Sequence, residues 1–102
     1  MIERPTPYGA FNFTVDLGAL AANYATLKVQ AAGAEVAGML KANAYGLGGP
    51  HVAARLWDCG ARSFFTAGVG GAEVLRQLLG PRADVYVLDG CRTGDAERLI
   101  EA

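Results

Sequence analysis

Apolar and polar positions change rhythm several times along this chain, and each change marks a predicted element. Phe11 to Val15 alternates, with Phe11, Phe13 and Val15 on one face, as a short strand with one buried face does. Asp16 follows where a helix N-cap belongs, since its carboxylate can accept from the first free backbone N–H groups. Leu17, Leu20, Tyr24, Leu27 and Ala31 then recur at spacings of three and four, the stripe of an amphipathic helix, and Gly33 closes it. The ten residues before this strand, with Pro5, Pro7 and Gly9, read as an irregular lead-in.

From Val36 the rhythm becomes short apolar runs alternating with helical stretches. Val36 to Leu40 does not alternate, the mark of a strand covered on both faces. A glycine-rich connection follows, then Pro50 opens a helix through Trp57 that Gly60 ends. Ser63 to Ala67 is the next strand, Ala72 to Leu79 the next helix, and Gly80-Pro81 stops it. Val85 to Leu88 is a further strand, and Asp95 to Glu101 begins another helix. Successive strands start about 20 to 28 residues apart, which implies parallel pairing through helical crossovers. The predicted fold class is therefore α/β: three parallel strand-helix units preceded by an N-terminal strand and helix. Three parallel strands are too few to stand alone and match a section of a doubly wound sheet or of a (β/α)8 barrel, which needs roughly 250 residues.

Composition narrows this picture without redirecting it. The 102 residues are 52% hydrophobic with a formal net charge of −1, which excludes a disordered chain and gives no footprint for nucleic acid or an anionic membrane. Cys59 and Cys91 lack the spacing of a metal site or a disulfide framework, so two free thiols in a reducing, cytoplasmic compartment are expected. No signal peptide or membrane-spanning run is apparent.

Two glycine clusters invite a dinucleotide reading, and both fail it. After Gly46 and Gly48 the third fingerprint position is His51, and after Gly68 and Gly70 it is Glu73. Lys41 stands out instead. Only Lys28 and Lys41 are lysines, and Lys28 falls on the exposed side of the first helix. Lys41 directly follows the apolar run, at the C-terminal end of a predicted parallel strand, where functional groups of such folds collect. A lysine there is either a solvated charge or, if desolvated, a nucleophile or Schiff-base former.

The neighbours of Lys41 decide the emphasis. Lys41-Ala-Asn-Ala-Tyr-Gly-Leu-Gly resembles the pyridoxal-phosphate lysine motif of the alanine racemase family, K-A-[ND]-A-Y-G-x-G. Val15-Asp-Leu-Gly-Ala-Leu-Ala-Ala-Asn-Tyr and Val85-Tyr-Val-Leu-Asp-Gly are also similar to that family, so the resemblance runs from about Phe13 to Glu101. It implies that residues 1–102 are an incomplete N-terminal portion of a (β/α)8 barrel. It further implies an aldimine between Lys41 and pyridoxal 5'-phosphate, with Lys41 also serving as one of two acid/base groups that interconvert L- and D-alanine for peptidoglycan. Tyr45 then contacts the cofactor phosphate and Leu88 lines the cofactor site. No metal is implied, and the partners are alanine and, for the full-length parent, a second copy in a homodimer.

Some positions depart from the family pattern. Leu47 stands where histidine is common, and Gly70 and Gly71 stand where acidic residues commonly open the helix, an expected loss of local stability. The second catalytic base, a tyrosine, and the main phosphate loop lie in later parts of the family fold, so the 102 residues alone are expected to be inactive. The alternatives are another barrel-type pyridoxal-phosphate protein, a decarboxylase or cofactor carrier, or a non-catalytic remnant or interaction module.

Overall fold

The computed structural model describes residues 2–5 and 12–102. Strand β1 (Ile2–Pro5) pairs antiparallel with β2 (Asn12–Val15), in a register that sets Ile2 opposite Val15 and Pro5 opposite Asn12. The first ten residues therefore include a strand where an irregular lead-in was expected. Its prolines argued against it, yet a proline is tolerated on an edge strand with one hydrogen-bonded neighbour. Phe11, the first residue of the expected strand, lies outside the described residues.

Helix α1 (Leu17–Gln30) begins where Asp16 predicts. Asp16 Oδ1 accepts from Gly18 N at 2.9 Å and from Ala19 N at 3.1 Å. Tyr24 is buried on this helix, whereas Leu27 is half-exposed, so only part of the predicted stripe is covered. Burial pushes the Tyr24 phenol above its ordinary pKa, with Cys59 and Glu35 adding to the rise and Arg62 opposing it. Its hydroxyl donates to Val36 O at 3.4 Å.

The rest of the chain is a three-stranded parallel sheet with helices. Strands β3 (Gly38–Met39), β4 (Ser63–Thr66) and β5 (Asp84–Val87) lie side by side in that order. The short turn α2 (Lys41–Tyr45) and helix α3 (Gly49–Asp58) connect β3 to β4. Helix α4 (Val69–Leu79) connects β4 to β5, and α5 (Ala96–Glu101) follows. Helices α1, α3, α4 and α5 pack in sequence, each on the next. This is the predicted class, a partial barrel of three parallel strand-helix units behind an N-terminal strand and helix.

The two faces of the sheet differ in a way the sequence did not predict. Gly38, Phe64 and Val85 share a row on the helix-covered face, and Phe64 is 0% exposed. A Cβ on Gly38 would lie 3.0 Å from Leu56 and 3.1 Å from Phe64, so this glycine makes room for the packed ring. On the other face Met39, Phe65 and Tyr86 form the next row, with Met39 40% and Tyr86 48% exposed. The unalternating run Val36–Leu40 reads as covered on both faces, but among the described residues only the helical face is covered. The Phe65 and Tyr86 rings stack at 4.7 Å between centroids, which shields some of that apolar area. The described residues accordingly form a slab 20 Å thick, about one sheet and one helical layer. None of these helices is long and apolar enough to cross a membrane.

Helix α4 corrects the expectation for its two glycines. A Cβ on Gly71 would lie 2.2 Å from Thr66 Oγ1, whereas one on Gly70 would meet nothing within 4 Å. Gly71 is thus required by the close approach of α4 to β4, and only Gly70 is a free loss. Arg76 anchors the other end of the helix. Its Nη1 donates to Gly80 O and to Ala83 O, both at 2.7 Å, and its Nε to Ala102 O at 3.2 Å.

Candidate functional site

Functional groups on a parallel sheet gather where the strands end, and here hydrogen bonds hold those ends level. Leu40 N donates to Phe65 O at 2.8 Å, Leu88 N to Thr66 O at 2.9 Å and Asp89 N to Ala67 O at 2.9 Å. Lys41, Ala67 and Leu88 each lie two residues beyond the row Met39, Phe65 and Tyr86, so they share one rim. With strands spaced about 4.8 Å apart, Lys41 and Leu88 stand roughly 10 Å apart across the sheet.

Lys41 leaves β3 next to buried Leu40 and enters a turn of unusual hand. Ala42 (φ 53, ψ 46), Asn43 (φ 55, ψ 46), Ala44 (φ 54, ψ 50) and Tyr45 (φ 56) are all left-handed, and Gly46 continues at φ 85. For an L-residue this region costs roughly 1–2 kcal/mol, with asparagine penalised least. Three of the four therefore carry strain that the surroundings must hold. Ala44 N donates to Leu40 O at 3.0 Å and Gly46 N to Ala42 O at 2.9 Å, which closes the turn on itself. The Ala44 methyl is buried in the helical core, anchoring it from inside.

The turn brings two of the candidate residues together. Lys41 Nζ lies 5.8 Å from the centre of the Tyr45 ring, within cation–π range. Lys41 is exposed and forms no ion pair among the described residues. Tyr45 is 62% exposed, leaving its hydroxyl open to a ligand. Leu88 is half-exposed on the same rim but follows β5, so it can only flank whatever the other two hold.

A cleft of about 310 Å³ opens between the two strand-to-helix connections, lined by Leu40, Asn43, Pro50, Thr66, Gly68 and Gly71 among others. Neither Lys41 nor Tyr45 lines it. None of its lining residues is charged and Thr66 supplies their only hydroxyl, so an amine has to come from the rim beside it. His51, the only histidine, is exposed in the first turn of α3. Asn43 was not singled out by sequence, although an asparagine inside a glycine-rich connection is a signal for left-handed backbone.

An amine at a strand end with a phenol beside it suits a ligand carrying both an aldehyde and an anionic group. Lys41 could bond the first covalently and Tyr45 O–H could donate to the second. The comparisons with known proteins point the same way. Residues 15–102 match the family model described as the alanine racemase N-terminal domain. An alanine racemase from Methylobacterium nodulans is 52% identical over 83 residues, covering 81% of this chain and 22% of that protein. A catabolic alanine racemase from Agrobacterium fabrum is 42% identical over 84 residues, covering 82% of this chain and 22% of its own length. Among solved structures, an alanine racemase from Bartonella henselae with covalently bound pyridoxal phosphate superposes with a TM-score of 0.81 at 34% identity. That match covers 85% of this chain and 24% of the other. The chain thus spans about a quarter or less of the length of the relatives it matches.

Proposed function

The chain belongs to the alanine racemase N-terminal domain family, and from that membership we propose that it carries the lysine of a pyridoxal-phosphate-dependent alanine racemase. The observation supporting this reading is Lys41 itself, exposed just beyond β3 with no ion pair among the described residues and with the Tyr45 ring 5.8 Å from its Nζ. The whole protein interconverts L-alanine and D-alanine, supplies D-alanine for peptidoglycan, works in the cytoplasm and assembles as a homodimer. Residues 1–102 form its N-terminal portion and do not racemise alanine alone.

When bound, pyridoxal phosphate supplies an electron sink that makes the α-proton of an amino acid removable. Lys41 Nζ would hold the cofactor covalently, and its amine, when not so engaged, would accept or return the α-proton on one face of the substrate. Tyr45 O–H would donate a hydrogen bond to the cofactor phosphate, and Leu88 would flank the cofactor and keep water from that side of the rim. The second base, on the opposite face, comes from outside these 102 residues.

Within these 102 residues only Lys28 and Lys41 are lysines, so peptide mapping separates the two candidates here directly. Pyridoxal phosphate is added to the full-length protein, borohydride is applied, and peptides are mapped by mass spectrometry. Label is expected on Lys41 and not on Lys28, and Lys41→Ala should abolish it together with racemisation. Label confined to Lys28, or racemisation surviving in Lys41→Ala, would sink the reading.

A further inference from the structure

Within the left-handed turn, Asn43 is the residue whose side chain reaches across to the next helix. Its amide oxygen accepts from Gly49 N at 2.7 Å, and its main-chain carbonyl accepts from Gly48 N at 3.0 Å. Both donors stand at the start of α3, whose N-cap, Gly48, has no side chain to offer a cap. Asn43 supplies that cap from six residues upstream of Gly49. Gly49 is fitted to the contact, because a Cβ there would lie 3.3 Å from the same oxygen and 3.8 Å from the Asn43 backbone.

We propose that Asn43 is a positioning residue for Lys41: it clamps the left-handed turn onto α3 and so fixes how the Lys41 amine leaves β3. The inference rests on the reading that Lys41 bears the cofactor. Ala42, Ala44 and Tyr45 hold backbone angles that their own side chains disfavour, so the turn needs an external hold. Helix α3 can provide one, since Val52, Ala53 and Leu56 are buried against the sheet and neighbouring helices. Asn43 tolerates the left-handed region and carries the acceptor, and so links the turn to that rigid element. Without the link, Lys41 and Tyr45 sit on a relaxed loop, and a misdirected amine loses rate long before the fold is lost.

Three substitutions separate the components. Asn43→Asp keeps both an acceptor and tolerance of the left-handed region, and its charge suits a helix N-terminus. Asn43→Gly keeps the backbone freedom and loses the acceptor. Asn43→Ala loses both. In the full-length protein, each variant is mixed with pyridoxal phosphate and quenched with borohydride at intervals, and label on the Lys41 peptide is followed. Circular dichroism checks that each variant is folded. Labelling should slow about tenfold in Asn43→Ala and somewhat less in Asn43→Gly, the effect of losing one well-aligned hydrogen bond and its orientation. Asn43→Asp should label within about twofold of wild type, and in steady-state assays kcat should fall more than KM across the series. Wild-type labelling rates in Asn43→Gly and Asn43→Ala would overturn the inference while leaving Lys41 in its role. If Asn43→Ala does not fold, equal rates in Asn43→Gly and Asn43→Asp overturn it just as well. No label on Lys41 in the wild type would remove the underlying reading, and the clamp with it.

Discussion

The two connections that leave the C-terminal edge of the sheet solve the same problem in opposite ways. Between β4 and α4 the chain needs only Ala67 and Gly68, with Gly68 extended at φ −127, ψ 176, and the helix starts at once. Between β3 and α3 it takes Leu40 to Gly48, with four consecutive non-glycine residues left-handed. The short connection is relaxed along its backbone but tight in space, since α4 presses on Thr66 and admits no side chain at Gly71. The long one is open in space but strained along its backbone. Strain persists only where the surroundings over-determine it, and here it sits beside the one candidate nucleophile. Ordinary packing needs no such turn, and a reactive amine held at a fixed angle does.

The tight connection can be broken sterically. Gly71→Ala places a methyl 2.2 Å from Thr66 Oγ1, so α4 must move off β4 or Thr66 must abandon its buried rotamer. Such overpacking costs roughly 1–3 kcal/mol, read as a fall in the denaturant midpoint. Its neighbour Gly70 is the internal control. Gly70→Ala meets nothing and should stabilise by about 0.5–1 kcal/mol through helix propensity alone. If both alanines shift stability in the same direction, the close approach of α4 to Thr66 is not real.

The strained connection should respond in the opposite sense to added freedom. Ala42 is exposed and left-handed, so Ala42→Gly removes a backbone penalty while burying and uncovering nothing. The gain from relieving the strain exceeds the extra entropy of the unfolded glycine, leaving about 0.5–1 kcal/mol of stabilisation. Ala42→Val, β-branched at the same angles, should destabilise. The pair is read by thermal unfolding, and a neutral Ala42→Gly would mean the left-handed turn carries no strain.

How much of this could be read in advance depends on whether the signal was local. The alternation of short apolar runs with helical stretches located every element from β2 onward to within a few residues, except the turn α2, which read as a glycine-rich connection. The cap at Asp16 and the place of Lys41 at a strand end rest on local chemistry, and both positions came through. β1 did not, because Pro5 and Pro7 obscure a strand whose pairing depends on β2. The open face of the sheet was missed for a better reason. Met39 is as apolar as its neighbours, so the run encodes coverage on both faces that only one face receives among the described residues. Gly71 reads from sequence as a loss of local stability because its contact with Thr66 is tertiary. The left-handed hand of Ala42 and Ala44 has no local signal at all, since alanine prefers the right-handed helix. Asn43 and Gly46 were the only residues announcing it. The roles of Lys41, Tyr45 and Leu88 came from family resemblance, and they stand as the proposal that borohydride labelling tests.

The smallest effect is expected on the outer flank of the helix that the short connection launches. Glu73 on α4 pairs with Arg98 on α5, and both side chains remain in contact with solvent. The hydrogen bond from Arg98 holds the Glu73 carboxyl below its ordinary value of 4.5, with charge attraction adding to that and partial desolvation opposing it. A carboxylate whose folded pKa is depressed stabilises the fold above its unfolded pKa, and that contribution fades as pH falls through the folded value. The pair should therefore add a little stability from neutral pH down to the ordinary carboxylate range and none in stronger acid. Glu73→Gln removes the titration, so wild-type and variant unfolding midpoints should differ slightly at neutral pH and converge as pH falls beneath the ordinary carboxylate range. Exposure to water and salt keeps the difference small, and raised ionic strength should shrink it further. A difference that grows toward acid would have the wrong sign for this pair. In that case α5 would be held to α4 by the Arg76 contact with Ala102 and not by charge.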